Sequence, residues 1–162
     1  MLKKDYKVTH FLGEISDTFR DIKQDFLKTF KYMQLFMNSR NLSLCMVNYM
    51  RGFLAIFFKH VLSEKYDPEQ AVQIKWDLQQ LEKLVKERIF TELVEESDMG
   101  KPGRISHIST LKSVIDNFKR LLEILIVYDY PTAKVLCHNL VQEDRERYEQ
   151  NAINVLKSRK DA

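Results

Sequence analysis

Apolar residues return every three or four positions along most of this chain, a period that suits an α-helix and not a strand. The longest run is Val8, Leu12, Ile15, Phe19, Ile22, Phe26, Phe30, Met33 and Met37. It predicts a first helix from about Thr9 to Ser39 that turns one stripe toward a partner for roughly eight turns. The turn residues agree. Four glycines and three prolines in 162 residues are too few for a sheet with several hairpins and enough to punctuate helices.

Four more helices can be read. The second spans about Leu42 to Lys65, with Asn41 or Ser43 as its cap. Its polar residues Asn48, Arg51, Gly52, Lys59 and Ser63 occupy a strip only roughly 120° wide at about 100° per residue. So narrow a wet strip predicts a buried central helix, with Gly52 and Ala55 letting a neighbouring backbone come close. Asp67-Pro68-Glu69-Gln70 then reads as an N-cap, a first-turn proline and early acids. The third helix carries Ala71, Ile74, Leu78, Leu81, Val85 and Ile89 and runs to about Glu96. Residues 97–104 hold two glycines and a proline and read as a flexible loop. The fourth helix is placed at about Ser106 to Tyr128, on Ile108, Leu111, Ile115, Phe118, Leu122 and Leu125. The fifth follows the Asp129-Tyr130-Pro131 turn and runs from about Thr132 to Ser158. Gln142 to Arg147 interrupts its apolar seam and is read as a charged middle projecting past the edge of the bundle. The expectation is one all-α domain over residues 1–162, a bundle of four to five long, mainly antiparallel helices.

Several classes of function are disfavoured. Leu42 to Leu62 has about the length of a membrane span, but Asn48, Arg51 and Lys59 interrupt it, and each charge at mid-depth costs about 2.5–3.5 kcal/mol. No membrane span is therefore expected. The residues after Met1 lack the apolar run of a signal peptide, which points to the cytoplasm; secretion is the alternative if Met1 was added to a processed chain. Cys45 and Cys137 sit inside apolar helical patterns and read as free thiols, whereas a bridge between them would go with export. The formal charge of +3 traces to residues 1–40. There Arg20, Lys23, Lys28 and Lys31 share a face with Asp17, Asp21 and Asp25, a mixture that argues against nucleic acid as a partner.

No catalytic, cofactor or metal constellation emerges. His10–Glu14 and His60–Glu64 each lie on one helical face, but no Glu-xx-His pair occurs, as helical dimetal centres require. His107 stands out of register with Leu111-Lys112 for a phosphotransfer helix, and Cys137 and His138 point about 100° apart. The unusual feature is acidic. Glu92, Glu95, Glu96 and Asp98 gather at a helix C-terminus, where the dipole already carries negative charge, with Lys101 and Arg104 close behind. These six residues are the candidate partner-binding patch. The expected function is a non-enzymatic protein–protein interaction module, a regulator, adaptor or chaperone, whose partner is another protein or a second copy of itself. The alternatives are a secreted cytokine-like ligand, a helical metal-binding enzyme and a nucleic-acid-binding regulator.

Overall fold

Three aspartates and an asparagine decide where most of the helices begin. Asn38 accepts a hydrogen bond from the Asn41 N–H at 2.9 Å, Asp67 from Gln70 at 2.9 Å, Asp129 from Thr132 at 2.8 Å and Asp144 from Arg147 at 3.1 Å. Each satisfies a first-turn donor that has no partner inside its helix. At Asp67 the cap is reciprocal, because the Gln70 side chain accepts from the Asp67 N–H at 3.2 Å, and Pro68 follows at the first helical position.

The computed structural model describes residues 17–90 and 102–162, and these are all-helical. The elements are α1 (Asp17–Gln34), α2 (Ser39–Leu62), α3 (Pro68–Leu84), α4 (Pro102–Ile126), α5 (Tyr130–Glu143) and α6 (Arg145–Lys157). A π-helical turn, Val85–Phe90, continues α3. The described parts of the third and fourth seams fold as their spacing predicts. Ala71, Ile74, Leu78, Leu81 and Val85 are buried, as are Leu111, Ile115, Phe118, Leu122 and Leu125. Phe19 packs on Phe53 and Phe57, and Phe26 packs on Tyr49. The contacts run in opposite order along the two helices, so α1 and α2 form an antiparallel hairpin. Phe57 and Phe58 in turn meet Phe118 edge-on, with ring centroids 5.5 and 4.9 Å apart, which fixes α2 to α4.

The central position belongs to α4, which packs against α2, α3, α5 and α6. This differs from the expected buried helix at Leu42–Lys65. One side of α2 is core, through Leu42, Met46, Met50, Leu54, Phe57 and Val61. The other side is exposed, and it includes Leu44, Tyr49, Ala55 and Ile56 as well as the polar strip. A methyl group added at Gly52 would have nothing within 4 Å, so no described backbone uses the room that Gly52 and Ala55 leave. Apolar periodicity located the apolar residues of this helix but did not say whether anything covers them.

Two boundaries also move. The break after the first helix comes at Leu35–Asn38, with Asn38 as the cap in place of Asn41 or Ser43. The predicted fifth helix is two helices. Asp144, at φ −150° and ψ 89°, ends α5 and caps α6, and the two fold against each other. The charged stretch at Gln142–Arg147 is thus a junction and not a projecting middle. Arg120 of α4 pairs with Glu143 beside it, and the buried Tyr148 donates its hydroxyl to Asn117 at 2.8 Å.

The chain end is locked in place by one side chain. Arg159 is only 1% exposed. Its guanidinium donates to the carbonyls of Ile124 at 2.8 Å and Val127 at 2.6 Å, and to the Asp161 carboxylate through two bonds of 2.7 Å. It therefore caps the C-terminal carbonyls of α4, where a cation also suits the helix dipole. Tyr66 brackets the same residue, donating its N–H to Ser158 O at 2.8 Å and accepting from the Lys160 N–H at 2.8 Å. Lys160 reaches Asp67 at 2.9 Å, and Lys65 donates to the Lys157 carbonyl. The α2–α3 connection, the end of α4 and the C-terminus form one clamp.

Candidate functional site

The predicted patch of Glu92, Glu95, Glu96, Asp98 and Lys101 lies outside the described residues, and so does most of the predicted loop at 97–104. Arg104 falls in the first turn of α4, which begins at Pro102, with its side chain outside the described set. His10–Glu14 is outside it as well. Among the described residues no group of three or more His, Cys, Asp or Glu side chains converges as metal ligands would. His60 keeps Nε2 buried with no hydrogen-bond partner among them. Cys137 and Cys45 are free thiols, and burial pushes the Cys137 thiol up, away from the nucleophilic thiolate.

A different surface stands out at the α1–α2 hairpin. From Phe26 to Ser63 the chain contains no aspartate or glutamate, yet it carries Lys28, Lys31, Arg40, Arg51 and Lys59. All five are exposed. None of the five makes an ion pair among the described residues, and in α1 the single such pair joins Arg20 to Asp17 at 3.0 Å. Lys28 and Lys31, although they share a face with the acids of α1, are therefore not paired with them among the described residues. The acids of α1 end at Asp25, a turn too early to reach Lys31.

Apolar side chains share this surface. Tyr32 is 66% exposed, Leu35 76%, Phe36 72% and Ile56 69%, with Met37, Leu44 and Tyr49 partly so. Leu35, Phe36 and Met37 stand together on a tight turn closed by hydrogen bonds from Leu35 N–H to Tyr32 O, and from Phe36 and Met37 N–H to Met33 O. Tyr32 and Phe36 lean on each other with centroids 5.1 Å apart. Along α2, at about 100° per residue, Arg40, Leu44, Arg51, Ala55, Ile56 and Lys59 fall within roughly half of the helix circumference. Scattered exposed apolar residues are ordinary, but a run gathered at one corner and framed by one sign of charge marks an interaction surface. We refer to it as the arm.

Polar side chains on α4 pair with neighbouring helices. Arg120 holds Glu143 and lies over the Tyr148 ring, 5.4 Å from its centroid. That hydrogen bond from Arg120 keeps the Glu143 carboxyl below the usual carboxylate range. Likewise Glu82 is held low despite its partial burial, because Lys86 and Lys119 both bond to it, at 2.8 and 2.9 Å. These pairs tie α4 to α3 through Lys119 and Glu82, and to α5 through Arg120 and Glu143.

Sequence reasoning missed the arm, although its charge signal was readable as the acid-free run from Phe26 to Ser63. Dividing the charge count at residue 40 cut that run in two. Comparison of the chain with protein-family models, with curated proteins and with solved structures finds no match.

Proposed function

We propose that this chain is a non-enzymatic interaction module of the cytoplasm, a regulator, adaptor or chaperone built as an antiparallel helical bundle, that works by binding other macromolecules, another protein among them. The observation that carries this reading is the arm, an exposed apolar corner inside an acid-free run whose five basic residues make no ion pair among the described residues. Such a surface favours a partner that is acidic and offers apolar area. It works against a second copy meeting it face to face, since that would bring five positive charges against five.

The test is capture at low and high salt by the full chain and by a Leu35→Ser/Phe36→Ser variant, with light scattering to report mass. The reading expects the wild type to retain a macromolecule at low salt and to release it as salt rises, while the variant retains none. A strict monomer that holds nothing at any salt contradicts it.

A further inference from the structure

The arm's shape and chemistry choose among acidic partners. Leu35, Phe36 and Met37 sit on a turn between two helices and project from the surface. A projecting apolar tip needs a preformed pocket in a folded partner, but it needs none in a fluid acyl phase. A nucleic acid would engage Lys28, Lys31 and Arg51 through its phosphates and leave Leu35, Phe36 and Ile56 in water. The helix behind the tip completes the argument. By length and composition Arg40–Leu62 is apolar enough to cross a membrane, yet Met46, Met50, Leu54 and Phe57 on one side belong to the core. A helix committed to a protein core on one side, with basic and apolar residues on the other, is suited to lying on a membrane and not to crossing it.

We propose that the arm docks this chain onto an anionic lipid bilayer. α2 lies in the headgroup plane with Arg40, Arg51 and Lys59 against the lipid phosphates and carboxylates, and Leu35–Met37 enters at the acyl boundary. Lys28 and Lys31 stand beside the entering turn and add to the attraction. Two weak signals, apolar insertion and a basic patch, together give stable but reversible binding. The proposal rests on reading the arm as the binding surface and names what covers it.

The experiment is co-sedimentation of the full chain with large vesicles of phosphatidylcholine, with and without phosphatidylserine. Binding is expected to be at least about tenfold tighter with phosphatidylserine and to fall steeply with salt. The Lys28→Gln/Lys31→Gln variant should bind on the order of twentyfold more weakly, about fivefold for each charge. The Leu35→Ser/Phe36→Ser variant should lose at least about tenfold through its apolar contacts. Far-UV circular dichroism checks that each variant keeps its helix content. The proposal is overturned by no binding to phosphatidylserine vesicles, by equal binding to phosphatidylcholine alone, or by both variants binding like the wild type. If vesicles fail while salt-sensitive capture of an acidic protein depends on Leu35 and Phe36, the bilayer is ruled out and the interaction module stands. If both fail, both readings fall.

Discussion

The two ends of α2 solve opposite problems. At its C-terminal end, the clamp around Arg159 and Tyr66 pairs the Arg159 guanidinium, the Tyr66 backbone and the Lys160 ammonium inside the molecule. At its N-terminal end and along its exposed side, the arm leaves Leu35 and Phe36 exposed and five basic side chains without an ion pair among the described residues. The first arrangement fixes a chain terminus; the second keeps apolar area and charge for something outside. Stability and binding are therefore lodged in different places, and substitutions should separate them.

The largest effect belongs to the clamp. Arg159→Met removes the donor to the α4 carbonyls and strands them out of water, so urea unfolding should show a loss of about 3 kcal/mol. Vesicle binding by the fraction that remains folded should be unchanged. A loss below about 1 kcal/mol would mean that the C-terminus is only loosely held.

Acid should open the same clamp. The hydrogen bond from Arg159 holds the Asp161 carboxyl low. Burial alone would raise the Asp67 carboxyl, but the bonds from the Gln70 N–H and Lys160 outweigh it and hold it low too. A carboxyl whose folded value lies below its unfolded value adds stability that is present above the ordinary carboxylate range near pH 4. That stability is lost as the pH falls through the folded value. Urea titrations should therefore show stability falling below about pH 4, and falling less in Arg159→Met, where Asp161 has no such partner. Asp67→Ala removes the capping box and the Lys160 pair together and should cost about 1–2 kcal/mol at neutral pH.

The arm should respond in the opposite sense. Gly52→Ala puts a methyl group into open space on an exposed helix and should raise stability by about 0.5–1 kcal/mol, read as a higher urea midpoint. The smallest expected effect on stability is that of Leu35→Ser/Phe36→Ser, within about 0.5 kcal/mol, even though this variant should lose binding. If it instead unfolds the protein, those side chains belong to the core and the contrast between the two ends collapses.

Local features were legible in the sequence. The seam Ala71, Ile74, Leu78, Leu81 and Val85, and the Asp67-Pro68 start of α3, follow from spacing and capping chemistry within a few residues. The break at Asp144 was not, because Glu143–Arg147 and Arg145–Glu149 also suit a continuous helix. Arg159 gave no signal, since the carbonyls it caps lie more than thirty residues earlier in the chain and only the fold brings them near. The charge of the arm was present in the run from Phe26 to Ser63. Its exposure was not, because a period of three to four marks a face as apolar without naming a neighbour.

Hydrogen exchange, followed region by region with and without phosphatidylserine vesicles, tests the central claim most directly. Added vesicles should slow exchange at Leu35–Asn38 and along the exposed side of α2, and leave α4, α5 and the clamp unchanged. No change at Leu35–Asn38, or equal slowing across the whole chain, would contradict the account.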